Sequence, residues 1–247
     1  MTRNKKLIVA LAALAMALPV AAFAQALSLD LGESGGGSAT ARMIQIVALI
    51  TLLSVAPSLL MMVTSFTRIV IVLSFVRTAL GTATTPPNQV IIALAMFLTF
   101  FIMAPVLKQS YEEGIAPLIE ERISEEEAMK LAAEPFHVFM LHHTREKDLD
   151  LFMSISKTKV ETPKMTPYEV LIPAFMISEL RRAFEIGFLI FIPFLIIDML
   201  VASILMAMGM MMLPPVVISL PFKLIFFVLV DGWYMVAGSL VRSFGAI

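Results

Sequence analysis

No cysteine occurs anywhere in the 247 residues, so disulfides, thiolate metal sites and cysteine nucleophiles are excluded from the outset. Charge is scarce as well: 15% of residues are Asp, Glu, Lys or Arg, where a soluble domain carries about 25%. The formal net charge of −1 offers nothing to attract nucleic acid. One Trp and three Tyr stand beside 18 Phe, which leaves a thin aromatic belt for anchoring at a bilayer surface. The three histidines, His137, His142 and His143, are spaced so that they do not share one helical face, and they form no His-Glu-x-x-His pair. No Walker loop, G-x-G-x-x-G, G-x-S-x-G or nucleophile–base pairing is present. An enzyme reading therefore has no residues to stand on, and no cofactor or metal is expected. No stretch of useful length alternates as a strand would, and no internal repeat is evident.

What the chain has in abundance is apolar sequence, at 59% of residues and a mean hydropathy of +0.92. That places it in the membrane class and predicts an all-α fold of hydrophobic helices. Residues 1–24 read as a cleavable signal peptide, with Arg3, Lys5 and Lys6 ahead of the apolar run Leu7 to Val20 and the small-x-small pattern Ala22-Phe23-Ala24. Residues 25–42 read as a flexible linker around Gly35, Gly36 and Gly37. A first hydrophobic helical pair is expected over 43–107. Its segments are Met43 to Thr67, continued by Ile69 to Val76, and Val90 to Leu107. A second pair is expected over 183–247, with Ile186 to Val201 and Val216 to Val241 joined by a methionine-rich loop. Between them the hydrophilic block 108–182 carries ten basic and fourteen acidic residues. With the cleaved N-terminus outside, Arg68 and Arg77 fall at the cytoplasmic turn and the acidic block lies outside, as the positive-inside rule asks.

Within the hydrophilic block, Ser124 followed by Glu127 makes a capping box that predicts a helix through Ala133. Pro135 then suits the first turn of another helix, Phe136 to Ser154, with Phe136, Met140, Leu141 and Phe152 as core candidates. Glu125-Glu126-Glu127 reads as a solvated face at a helix start, where anions suit the dipole.

Two features strain a simple reading of spans in lipid. Pro57, Pro105, Pro173, Pro193 and Pro221 interrupt or flank the apolar segments, and proline lacks the donor that a helix interior uses. Charges also lie in or beside those segments: Glu179, Arg181, Arg182, Glu185, Asp198, Lys223 and Asp231. Each is costly against lipid and is expected to face neighbouring helices or water. These residues are candidates for buried or inter-subunit ion pairs in an oligomer, with Lys223 to Glu179 as the preferred pair. The last candidate site is the methionine cluster Met206, Met208, Met210, Met211 and Met212, closed by Pro214 and Pro215. Methionine is flexible and polarizable, so such a cluster serves either as ordinary packing or as a soft constriction. An ion or proton channel with Asp198 and Lys223 as relay residues, and a structural membrane scaffold, are the competing readings.

The stretch from Pro173 to Phe188 (PAFMISELRRAFEIGF) resembles the signature of the FliP family, the flagellar biosynthetic proteins of the type III export gate. The run from Pro193 to Pro215 resembles the family's second block, and Thr144 to Leu149 (TREKDL) and Ser65 to Val70 (SFTRIV) are similar to shorter family motifs. The resemblance implies a pore-forming core subunit of the export gate, in the inner membrane within the flagellar basal body. Five copies would assemble with smaller gate subunits and conduct unfolded flagellar proteins, with the hydrophilic block on the periplasmic side. It also implies that much of the apolar sequence packs against neighbours rather than lipid. On this resemblance Met210, Met211 and Met212, with Met206 and Met208 nearby, form a gasket in the closed pore. The equivalent subunit of a virulence-type secretion system is the close alternative.

Overall fold

The absence of strand-like alternation is matched in three dimensions. In the computed structural model, which describes residues 39–82, 84–157, 160, 162–210 and 212–245, every regular element among the described residues is helical. The expected signal peptide and residues 25–38 of the expected linker lie outside the described residues. The elements are α1 (Ala39–Met62), α2 (Phe66–Leu80), α3 (Asn88–Ser110), a π-helical turn (Tyr111–Ile115), α4 (Ala116–Ile119), α5 (Glu125–His143), α6 (Glu146–Ser156), a 3-10 turn (Pro163–Met165), α7 (Tyr168–Ala207), α8 (Pro215–Leu229) and α9 (Gly232–Arg242). The chain divides into two units, Met1–Ser54 and Val55–Ile247. The first unit contributes the part of α1 before Val55. It starts at Ala39, inside the expected linker, because the glycine run has ended and Ala39 and Ala41 favour helix.

In the second unit, α2 is the central strut. Its residues Ile69, Val72, Leu73, Val76 and Leu80 recur at helical spacing and are all buried. They pack with Ile91, Ala95 and Ile102 of α3, Ala183 and Phe194 of α7, Phe227 of α8, and Val236 and Leu240 of α9. A second cluster joins Met140 of α5 and Leu149 of α6 to Val170, Leu171, Ala174 and Phe175 of α7. Close helix approach is set at two glycines: a Cβ on Gly187 would lie 2.4 Å from the Phe75 ring, and one on Gly114 would lie 2.6 Å from the Ala132 backbone nitrogen. Ser110 Oγ donates to Ala132 O at 2.7 Å beside the latter contact, which ties the end of α3 to α5.

Several boundaries differ from the sequence reading. The first apolar segment is not one helix: it breaks at Val63–Ser65. There the Thr64 hydroxyl donates to Met61 O at 3.3 Å and accepts from Phe66 N at 3.4 Å, local bonds that compete with the helical ladder. The prolines at 57, 105, 173, 193 and 221 do not interrupt helices; each lies within a continuous one. A proline removes one ladder bond, and packing over the rest of a long helix outweighs that loss. Pro135 likewise sits inside α5, which begins where the capping box places it, with Ser124 Oγ accepting from Glu127 N at 3.3 Å. The break comes instead at Thr144–Arg145, where Thr144 Oγ1 donates to Met140 O and Arg145 N turns to Ser178 Oγ. Met140 is buried as expected, while Phe136, Leu141 and Phe152 are half-buried.

Helix α7 runs unbroken for 40 residues, about 60 Å at 1.5 Å per residue and roughly twice a hydrocarbon core. Its first turns pack against the helices of the hydrophilic block, and from Phe184 onward it exposes Phe184, Phe188, Leu195 and Met199. Among the described residues, Asn88–Ile119 and Tyr168–Ala207 are long and apolar enough to cross a membrane, each with a mean hydropathy of 2.7. A third candidate is the pair Pro215–Leu229 and Gly232–Arg242, bent by 62°.

Candidate functional site

Arg68 lies one and two turns before Val72 and Val76, on the same buried face of α2, so the geometry of that helix aims a guanidinium into the core. Both Arg68 and Glu179 of α7 are fully buried, at 0% exposure. Arg68 Nε donates to Glu179 Oε2 at 2.8 Å, and Nη2 donates to Glu179 Oε1. The remaining nitrogen, Nη1, donates to Ser243 O at 3.1 Å and Ser243 Oγ at 2.9 Å. The Phe244 ring covers the guanidinium at 3.6 Å, and Phe139 and His143 of α5 pack against that ring. The bidentate carboxylate and the two further acceptors engage all three guanidinium nitrogens of this buried charge, as its desolvation demands. His143 is held neutral beside it: burial first, and then the Arg68 charge, push its pKa down to about 3.

A second polar junction sits at the other end of α2. Lys223 of α8 donates to Asp198 of α7 at 2.6 Å and to Ala79 O, in the last turn of α2, at 3.4 Å. Ser219 Oγ donates to the other Asp198 oxygen at 2.5 Å. An ammonium placed at a helix C-terminus is also favoured by the helix dipole. The expected pairing of Lys223 with Glu179 is therefore corrected. Nineteen positions separate Glu179 from Asp198 along one helix, and Arg68, which the sequence suggests as a flanking cytoplasmic charge, takes Glu179 instead.

A third junction fixes the hydrophilic helices to α7. Ser178 Oγ donates to Asp148 Oδ2 at 2.6 Å and accepts from Arg145 N at 3.1 Å, while Arg145 grips both Asp148 oxygens at 2.8 and 2.7 Å. Burial alone would raise the Asp148 pKa; the bonds from Ser178 and Arg145 outweigh it and hold the carboxyl below its ordinary value.

The other charge candidates lie outside these junctions. Arg181 and Glu185 form an exposed i,i+4 pair at 2.8 Å on α7, and Arg182 is half-buried. Asp231 is exposed at the bend between α8 and α9, in the left-handed region with φ 50°. Among the described residues no group of three or more His, Cys, Asp or Glu is placed to hold a metal ion.

The methionine cluster occupies the turn between α7 and α8. Gly209, at φ 72°, donates to Met206 O at 3.0 Å, and Met210 N donates to Leu205 O at 2.9 Å. Those two bonds are a Schellman ending, which needs the positive φ that glycine supplies without strain. Pro214 and Pro215 then start α8, with Pro215 preset for its first turn. Met206 lies in the last turn of α7, and Met208, Met210 and Met212 follow; all four are exposed, Met212 at 98%. Met211 lies outside the described residues. Met206, Met208 and Met210 thus surround a glycine-capped helix end.

Arg68, Arg145, Asp148, Ser178, Ser219, Ser243 and Phe244 take part in these junctions although sequence reasoning does not single them out as site residues. For Arg68 a signal is available: it shares the helical face of Val72 and Val76 within an apolar run. For Ser243 there is none, since its part depends on a partner 175 positions away.

A model described as "FliP family" matches residues 49–240. The flagellar biosynthetic protein FliP of Caulobacter vibrioides is 56% identical over 245 residues, covering 98% of this chain and 91% of that protein. Its namesake in Bacillus subtilis is 59% identical over 202 residues, 81% of this chain and 91% of that protein. The Agrobacterium fabrum protein of the same name is 51% identical over 236 residues, 94% and 96%.

Proposed function

The chain belongs to the FliP family, and on that premise we propose that it is a pore-forming core subunit of the flagellar type III protein export gate. The name its relatives carry, flagellar biosynthetic protein, supports a place in flagellar assembly. The two long apolar helices and the bent pair fit a membrane location. The finer reading puts the gate in the inner membrane, with the hydrophilic region toward the periplasm. Five copies and smaller gate subunits surround a path for unfolded flagellar proteins. The large exposed apolar faces of α7 and α8 are then covered by neighbours and lipid.

The observation that carries the gate reading is the methionine turn: unbranched, exposed side chains on a backbone held by Gly209 and two prolines. A ring of such turns can exclude water from a narrow pore and still yield to a passing chain of varied sequence. No catalytic group is required; the driving force comes from elsewhere in the machine. A proton relay through Asp198 is less well supported, because both its oxygens are engaged by Lys223 and Ser219. Deleting Met210–Met212, or replacing them with serine, is expected to raise ion leakage across the inner membrane of expressing cells. Unchanged conductance together with unchanged secretion of flagellar proteins would overturn the gasket.

A further inference from the structure

The bent pair α8–α9 is fastened to the rest of the second unit very differently at its two ends. At α8, Lys223 is pinned by Asp198 and by Ala79 O. Past α9, the polar tie is the pair of bonds from Arg68 Nη1 to Ser243 O and Oγ. Both anchors reach α2, at residues 11 positions apart, or about 16 Å along that helix. Between them the chain turns by 62° at Val230–Asp231, where Asp231 holds a positive φ that a non-glycine residue adopts only at some cost. Next to it Gly232 lets the Phe227 ring approach to where a Cβ would sit 2.2 Å away. A half-open cleft of about 280 Å³ lies beside Trp233, lined also by Leu73, Val90 and Ile91, and the Trp233 ring meets the Phe227 ring edge-on at 5.2 Å. The buried α9 stripe runs toward its far end, from Val236 through Leu240 to Phe244 over the Arg68 guanidinium.

We propose that α9 is a hinged flap: it swings about Asp231–Gly232 independently of α8, and Ser243–Phe244 latches it closed over Arg68. The device follows from the placement of strain and contact. The positive-φ residue and the open cleft beside Trp233 are at one end of an 11-residue helix, where Gly232 bears on the Phe227 ring, and the Arg68–Ser243 tie is at the other. Release exposes the Val236–Leu240–Phe244 stripe and admits water to the Arg68–Glu179 pair. The Lys223 anchor, and with it the methionine turn that precedes α8, stays in place. Such a flap stands whether or not the protein is an export gate.

The test uses the full chain in its membrane complex, where the absence of native cysteine makes one introduced thiol in it unique. Leu240→Cys reports on α9, and Val170→Cys, buried in the other cluster, reports on the body. Alkylation by N-ethylmaleimide is followed by mass for each, alone and with Phe244→Ala or Phe244→Leu. Local opening makes residue 240 react about tenfold faster than residue 170, and Phe244→Ala speeds residue 240 by about a further tenfold without changing residue 170. Phe244→Leu, which keeps an apolar cover, gives a rate near that of the parent. Equal rates at the two positions, or acceleration of both alike by Phe244→Ala, would mean that α9 opens only with the whole fold, and the flap would be wrong.

Discussion

The buried pair of Arg68 and Glu179 makes the sharpest demand on the fold, and a double-mutant cycle tests it. In Arg68→Met the long apolar stem is kept but the guanidinium goes, which leaves the Glu179 carboxylate at 0% exposure with no cation bonded to it. Removing one partner of a buried pair costs about 3–5 kcal/mol. Glu179→Met removes the carboxylate, while Ser243 O, Ser243 Oγ and the Phe244 ring still surround the cation. The loss there is likewise about 3–5 kcal/mol, because a buried guanidinium is left without its carboxylate. In the double variant Arg68→Met with Glu179→Met no charge remains buried. The Ser243 hydroxyl still donates to Leu240 O at 2.7 Å, so the main orphan is the Ser243 carbonyl, at about 1–2 kcal/mol. The double variant is therefore expected to be more stable than Arg68→Met alone, a non-additivity of several kcal/mol. Thermal unfolding of the full chain in detergent, with the parent and all variants at one concentration, measures the order. A double variant less stable than Arg68→Met, or costs that simply add, would show that the two residues do not act as one energetic unit.

Two further outcomes follow from named contacts. His143 is neutral in the fold, with a pKa near 3, and protonates near 6.5 when unfolded, so the unfolded state binds more protons between those values. Stability should fall as the pH drops through that window, by up to about 1.4 kcal/mol per unit, and His143→Gln should flatten the slope of Tm against pH; a slope unchanged by that substitution would count against it. Gly187→Ala puts a Cβ 2.4 Å from the Phe75 ring and should cost about 1–3 kcal/mol in unfolding measurements, most of it recovered when Phe75→Leu is added.

How much of the fold and site is legible in the sequence varies by residue. The capping box at Ser124 places the start of α5 correctly because a cap is local chemistry, decided within four residues. The end of that helix is not legible, because it is set by Ser178, 33 positions past Arg145. Prolines suggest breaks that the fold does not have: their local cost is real, but a 40-residue helix packed against both hydrophobic clusters outweighs it. Glu179, Asp198 and Lys223 stand out in sequence, since charge in an apolar run has to be answered by something. Which cation answers which carboxylate is beyond sequence, because Glu179 and Asp198 are equivalent candidates on one long helix until α2 and α8 are docked against it.

The sequence by itself determined the class of the molecule: helical, without thiol chemistry, rich in membrane-compatible segments, and bearing the FliP family's motifs. Those properties are sums over composition and short windows, where hydrophobic transfer and local hydrogen bonding dominate. The tertiary structure alone decided that Ser65–Val70 and Pro173–Phe188 meet at one ion pair, and that Ser243 and Phe244 close over it. It also decided that the methionines stand on a glycine-capped turn. A buried charge must be matched in space, and the chain order of its partners carries no record of which ones will be brought within about 3 Å.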